Sequence, residues 1–196
     1  MGGYGVLLKS AISSGEQTAY AERVKKLAYK IYGKTPLACV VTFGCQQNVS
    51  DSERLKGELS EMGYVLTDDI NEAQFIIFNT CAVREHAEDR VYGNVGVTKA
   101  LKKQNPNIIV AVCGCMAQRQ SVADKIKRSY PYVDMVLGTQ VQHRLPEFIY
   151  KRLSGSGRIF ELELLNEEIP EGVPIKRDGT WRLPIMYGAI IFAPTA

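Results

Sequence analysis

Residues 37–43 of the chain read LACVVTF, and two comparable apolar runs follow it, FIIFN at residues 75–79 and IIVAV at residues 108–112. Short continuous runs of β-branched and aromatic residues are typical of strands buried on both faces, as in a parallel sheet. Between them lie longer segments in which apolar residues recur every three or four positions, the period of an amphipathic helix. This alternation predicts an α/β fold.

Two weaker strands bring the predicted sheet to five. Right-handed crossovers place the carboxyl ends of parallel strands at one edge of the sheet. Five strands fit an open, mostly parallel sheet in a three-layer sandwich of the flavodoxin-like or Rossmann-like class, with strand order 2-1-3-4-5. The weaker strands are predicted at residues 64–67 and 133–137, and helices at 17–31, from Ser50 or Asp51 to 62, at 84–104, 117–128 and 140–153.

Length and composition bound the class of protein. At roughly 100–200 residues per domain, 196 residues make one domain with extensions. Contents of 45% hydrophobic and 23% charged residues are near globular averages and exclude a disordered or fibrous chain. A net charge of +3 is too weakly basic to indicate a nucleic-acid partner. Six basic residues fall on two helices, and we interpret them as an ordinary solvated face: Lys99, Lys102, Lys103, Lys125, Lys127 and Arg128.

The chain is expected to be cytoplasmic. No apolar run approaches the roughly 18 residues of a membrane span, and the N-terminal apolar stretch is too short for a signal peptide. Cytoplasmic thiols stay reduced. The odd count of five cysteines therefore favours metal binding, catalysis or plain burial over a disulfide framework.

Three cysteines occupy equivalent positions in the predicted fold. Cys45, Cys81 and Cys115 each lie just after the first, third or fourth strand. Ligands of open α/β sheets bind outside the carboxyl ends of the strands, so we expect these thiols to converge there. Cys39 lies within a strand and is interpreted as a core residue, whereas Cys113 ends a strand and is ambiguous.

Thiolates select zinc, copper(I) or iron–sulfur clusters. Zinc knuckles often contain a Cys-x-x-Cys pair, which the chain lacks. His86 is expected on a solvated helix face, and His143 has no proximity to the cysteines. Three cysteines without a fourth suit a [4Fe–4S] cluster with one open iron. Gly44 and Gly114 allow close backbone approach, and a helix after each cysteine would favour the thiolate.

Three collinear motifs resemble those of the radical S-adenosylmethionine methylthiotransferases. The motifs are TFGCQQN at residues 42–48 with DSE at 51–53, NTCAVRE at 79–85 with Ala87 and Glu88, and GCMAQR at 114–119. The similarity covers about residues 36–152. Gln46 and the stretch 91–94, VYGN, are most similar to the branch that acts on tRNA, the MiaB type.

The resemblance implies an enzyme that transfers a methylthio group to C2 of isopentenyladenosine beside the tRNA anticodon. It implies that Cys45, Cys81 and Cys115 bind an auxiliary [4Fe–4S] cluster. A second [4Fe–4S] cluster and S-adenosylmethionine would belong to a barrel domain of the full-length enzyme. The residues implied or expected to support the cluster site are Gly44, Asn48, Arg84, Gly114 and Arg119.

The chain departs from this pattern near residue 196. Pro184–Gly188 resembles the lead-in to the radical-cluster motif, yet Ala189, Ala193 and Ala196 stand at the expected cysteine spacing. We therefore expect this chain alone to be inactive. The predicted organisation is an N-terminal helical extension at residues 1–35, a cluster-binding domain at 36–153, a linker with a short strand at 154–180 and the start of the barrel at 181–196.

Two kinds of alternative remain. Within the same family, the substrate could be threonylcarbamoyladenosine in tRNA or an aspartate of a ribosomal protein. From a different class, the chain could be a metal-free flavodoxin-like binding module. The sequence specifies neither the sulfur donor nor the oligomeric state.

Overall fold

The computed structural model describes residues 14–82 and 87–162, except for the side chains of residues 14 and 87–90. They form three layers, a parallel sheet between two layers of helices. The strands are β1 (Leu37–Phe43), β2 (Val65–Leu66), β3 (Phe75–Thr80), β4 (Ile109–Gly114), β5 (Met135–Leu137) and β6 (Ile159–Glu161). The helices are α1 (Ser14–Tyr32), α2 (Gln46–Glu61), α3 (Ala87–Gln104), α4 (Gln120–Ser129) and α5 (Leu145–Leu153), with a 3-10 helix over Thr139–Arg144.

The sheet has the strand order β2-β1-β3-β4-β5-β6, and every neighbouring pair is parallel. The predicted α/β class and the order of the first five strands are confirmed. The sheet is larger than expected, because the short strand predicted within the linker pairs with β5 as a sixth strand. All six strands therefore end at the same edge.

Each face of the sheet has its own apolar core. Successive side chains of each strand point to opposite faces of the sheet, so each strand contributes residues to both cores. Helices α1, α2 and α5 cover one face, and helices α3 and α4 cover the other. The first core includes Val24, Leu55, Leu59, Phe75, Ile77 and Phe148, and the second includes Ile76, Phe78, Val95, Val110, Val112 and Ile126.

Helices α2, α4 and α5 differ from the sequence prediction at their first residues. Helix α2 begins at Gln46, earlier than predicted, because Cys45 is its N-cap residue and the Cys45 N–H donates to the Asn48 side chain. Helix α4 begins at Gln120, later than predicted, after a series of turns. The helix predicted over 140–153 is divided at Arg144, and Pro146 lies in the first turn of α5, where its missing N–H is tolerated.

One of the expected surface lysines is partly buried. Lys102 donates to Asp134, and its side chain is only 16% exposed. Asp134 is buried and also accepts hydrogen bonds from Arg152 Nε at 2.8 Å and from the Val110 N–H at 2.8 Å. This carboxylate therefore links α3, α5 and β4, and Lys102 does not belong to a solvated face.

Of the helices in residues 14–82 and 87–162, none has both the length and the apolar character needed to cross a membrane.

We expect Asp134→Ala to lower the free energy of unfolding by about 3 kcal/mol or more, because it leaves a partly buried ammonium group without its counter-ion. Urea denaturation measures this loss. Asp68→Ala, which removes an exposed carboxylate, is the control and should change stability by less than about 0.5 kcal/mol. Equal effects of the two substitutions would contradict this account of Asp134.

Candidate functional site

The register of the central strands aligns the three predicted site cysteines. Phe43 of β1 pairs with Thr80 of β3, and Thr80 pairs with Gly114 of β4. Cys81 and Cys115 each follow one residue after these partners, and Cys45 follows two residues after Phe43. The three cysteines therefore leave the carboxyl edge of the sheet side by side.

The three thiols lie at different depths. Cys45 is exposed, Cys115 is partly buried and Cys81 is fully buried. The Cys81 thiol is a neighbour of the Cys115 thiol. Burial raises the pKa of Cys115, and the neighbouring thiols of Cys81 and Cys45 raise it further, whereas the N–H of Ala82, which donates to Cys115 Sγ at 3.0 Å, lowers it.

The expected helix after each cysteine is present only in part. Helix α2 begins directly after Cys45. Helix α4 begins five residues after Cys115, so the thiol does not lie at the helix N-terminus as expected, and burial raises its pKa. Residues 83–86, which follow Cys81, lie outside the described part of the chain.

The carbonyl oxygen of Thr80 is the point at which the three loops meet. It accepts hydrogen bonds from Asn48 Nδ2 at 3.1 Å, from the Met116 N–H at 3.4 Å and from the Cys115 thiol at 3.6 Å. Asn48 belongs to the segment after β1, and Met116 and Cys115 to the loop after β4. Thr80 itself directly precedes Cys81, so one peptide group contacts all three cysteine-bearing segments.

Two glycines make this close approach possible. A Cβ atom at Gly114 would lie 2.7 Å from the Thr80 nitrogen, and Gly114 has a φ of +95°, in the left-handed region. A Cβ atom at Gly44 would lie 2.8 Å from the Cβ of Cys81. Contacts under 3.0 Å are essentially never seen for real Cβ atoms. The glycines predicted to support the site therefore act as spacers between neighbouring loops.

A buried polar network that was not predicted from the sequence lies behind the thiols. Asn79 Nδ2 donates to the Asn48 carbonyl oxygen at 2.8 Å and to Ser52 Oγ at 3.0 Å, and Ser52 Oγ lies 2.7 Å from Thr42 Oγ1. The available signal was the change from apolar to polar residues at the end of a buried strand, where Asn79 and Thr80 follow FIIF.

The other predicted residues lie in varied positions. Cys39 and Cys113 are buried in opposite cores, and burial raises the pKa of both thiols. Arg119 is exposed at the start of α4, and His143 lies in the 3-10 helix after β5. The predicted residues outside the described ranges are Arg84, His86, Ala189, Ala193 and Ala196.

The donor set of the three cysteine-bearing segments consists of thiols. Within residues 14–82 and 87–162, no three His, Cys, Asp or Glu side chains are placed to hold one metal ion. A single zinc ion requires its thiolates at about 2.3 Å from one centre, whereas an iron–sulfur cluster distributes its thiolates over several irons. Three cysteines on three separate segments supply donors of the kind that iron–sulfur clusters take.

Comparison with known proteins gives a family match and several relatives. A family model described as uncharacterized protein family UPF0004 matches residues 38–138. A Caldicellulosiruptor saccharolyticus protein named tRNA-2-methylthio-N(6)-dimethylallyladenosine synthase is 43% identical over 182 residues, which are 90% of this chain and 39% of that protein. Proteins of the same name from Clostridium perfringens and Acetivibrio thermocellus are 46% and 42% identical over 78% and 88% of this chain, and 34% and 37% of their own lengths. The chain thus spans between a third and two fifths of these relatives.

We expect Gly114→Ala to lower the free energy of unfolding by at least about 2 kcal/mol, because the added Cβ meets the Thr80 peptide and the left-handed φ strains any other residue. Urea denaturation is the measurement.

Gly96→Ala in helix α3 is the matched control, since a Cβ there meets open space. It should raise stability, by up to about 1 kcal/mol, because alanine favours the helix. If Gly114→Ala were as stable as the original chain, the loops after β3 and β4 would not be packed as described.

Proposed function

The chain belongs to the UPF0004 family, and on this basis we propose that it is the N-terminal part of a tRNA methylthiotransferase in which Cys45, Cys81 and Cys115 hold an auxiliary [4Fe–4S] cluster. The observation that carries the proposal is the register of β1, β3 and β4, from which three cysteines emerge side by side. The names of the relatives support the choice of reaction.

Three thiolates would leave one iron of such a cluster open to a sulfur-containing ligand, which is the chemistry that the group supplies when bound. The protein supplies the thiolates and their surroundings. The N–H of Ala82 points at Cys115 Sγ, and a donor at this place stabilises negative charge on the sulfur. The exposed position of Cys45 leaves one side of the site open to solvent.

The proposed substrate is tRNA, with the methylthio group added at C2 of isopentenyladenosine beside the anticodon. The relatives are named for dimethylallyladenosine, the same modified base. This name favours the isopentenyladenosine branch over the alternatives that modify threonylcarbamoyladenosine or a ribosomal-protein aspartate. The sulfur donor is not assigned.

The domain division and the remaining machinery are also part of the proposal. Residues 36–153 would be the cluster-binding domain, residues 1–35 a helical extension, residues 154–180 a linker with a strand and residues 181–196 the start of a radical S-adenosylmethionine barrel. In the full-length enzyme the barrel would hold the second [4Fe–4S] cluster and S-adenosylmethionine. Removing hydrogen from an adenine carbon needs a radical, which is chemistry of a cofactor and not of side chains.

Two arginines are proposed to supply positive charge near the site. Arg84 lies three residues after Cys81 and Arg119 four residues after Cys115. An anionic substrate such as RNA would be attracted to such charges. The proposed compartment is the cytoplasm, where thiols stay reduced.

We expect alanine at Cys45, Cys81 or Cys115 to abolish or strongly reduce iron incorporation after anaerobic reconstitution. The original chain should bind about four irons and absorb light at about 400 nm, as expected for a [4Fe–4S] site. Iron analysis and the visible spectrum are the measurements.

Cys39→Ala and Cys113→Ala are the controls and should keep the cluster, because these thiols lie in the two apolar cores. Full iron content in Cys45→Ala would overturn the ligand assignment. A chain that takes up no iron at all would favour a metal-free flavodoxin-like module.

The 196-residue chain should not cleave S-adenosylmethionine or methylthiolate tRNA, even with its iron restored. The physical reason is that Ala189, Ala193 and Ala196 carry no thiol at the spacing where the radical cluster would be bound. The assay combines S-adenosylmethionine, a reductant and isopentenylated tRNA. Formation of 5′-deoxyadenosine above background would show that the radical site lies elsewhere in the chain.

A further inference from the structure

Asn48 is buried at the centre of the site and connects two of its cysteine-bearing segments. Its Oδ1 accepts from the Cys45 N–H at 3.2 Å and lies 3.4 Å from the Cys45 thiol. Its Nδ2 donates to Asn79 Oδ1 at 3.0 Å and to the Thr80 carbonyl oxygen at 3.1 Å. Both ends of this one amide group are therefore used.

The orientation of the amide is fixed by its partners. A backbone N–H can only donate and a backbone carbonyl can only accept. The Cys45 N–H therefore requires the oxygen of Asn48, and the Thr80 carbonyl requires its nitrogen. Rotating the amide by 180° would place its NH2 group against the Cys45 N–H and its oxygen against the Thr80 carbonyl. Leaving these buried groups without hydrogen bonds would cost free energy.

We propose that Asn48 is a positioning residue, which holds the exposed Cys45 against the end of β3 so that its thiol shares one site with those of Cys81 and Cys115. Of the three cysteines, Cys45 depends most on such a contact, because it lies two residues after its strand and is exposed, whereas Cys81 and Cys115 each lie one residue after theirs. The side chain of Asn48 bridges from the Cys45 amide to the peptide that precedes Cys81. Gly44 leaves the space that this amide fills, since a Cβ at Gly44 would lie 2.7 Å from Asn48 Cγ.

This inference rests on the proposed role of the three thiols as one ligand set, and it can be tested without iron. Arsenite is a suitable probe of the metal-free chain, because As(OH)3 reacts with three thiols to form three As–S bonds and release three water molecules, with no change of oxidation state. Its affinity therefore reports whether three thiols can be drawn together on one atom, since no three side chains of the described residues are placed around one centre before it binds. Cys45→Ala gives the reference value for a site with two thiols left.

Asn48→Ala should lower the arsenite affinity at least tenfold, toward the value of Cys45→Ala. Ser52→Ala is the matched control: Ser52 is buried in the same network and accepts from Asn79, yet the described contacts do not join its side chain to Cys45. The arsenite affinity of Ser52→Ala should stay within threefold of that of the original chain. Gln47→Ala, which removes an exposed neighbour of Asn48, should also have no effect.

An Asn48→Ala affinity within threefold of the original would overturn the proposal, as would an equal loss in Ser52→Ala, which would mean a merely structural role. Circular dichroism and urea denaturation verify that each variant is folded. If Asn48→Ala does not fold, Asn48→Asp replaces it. The aspartate side chain fills the same volume but lacks the N–H donors to β3. We therefore expect Asn48→Asp to lower the arsenite affinity by the same order as Asn48→Ala.

The iron content of the original chain separates the two proposals. If the original chain binds arsenite through three thiols and retains no iron after reconstitution, the cluster proposal fails and the role of Asn48 stands. If the original chain holds a full cluster and Asn48→Ala binds arsenite equally well, only the role of Asn48 fails.

Discussion

The Thr80 peptide group occupies a place where three loops of the sheet edge come into contact, and the architecture of the site depends on this crowding. Its carbonyl receives one donor from the segment after β1 and two from the loop after β4. These segments can approach one another so closely only if no side chain lies between them, which explains why residues 44 and 114 are glycines. The close approach also demands that β1, β3 and β4 end in register, because a shift of one residue would move each cysteine to another place.

The sequence predicts the larger part of the fold because its strands are continuous apolar runs. The bounds of β1 are predicted to the residue, and β3 and β4 to within two residues. The polar residues that follow FIIF are a signal at the end of β3, but they do not identify the network around Asn79, since a polar residue at a strand end has the same appearance whether it faces solvent or a buried partner. The partial burial of Lys102 was missed for a similar reason: its partner Asp134 is 32 positions away.

The placement of the three cysteines was predicted at the level of position and not of detail. The topology brings Cys45, Cys81 and Cys115 to one edge, and that much follows from parallel strands and their order. Which thiol is buried depends on the packing of side chains that are distant in sequence, so the contrast between the buried Cys81 and the exposed Cys45 became visible only in three dimensions. The helix start at Gln46 depends likewise on the contact between Cys45 and Asn48.

The parallel pairing of β6 has a mechanical consequence. Because β6 runs in the same direction as β4, the chain leaves it at the edge of the sheet that carries the cysteines. There the Gln118 amide donates to the carbonyl of Leu162 at 2.5 Å and accepts from the Thr139 N–H at 3.0 Å. Gln118 is only three residues from Cys115. Through the Gln118 side chain, a displacement of the end of β6 would reach the loop that carries this thiol.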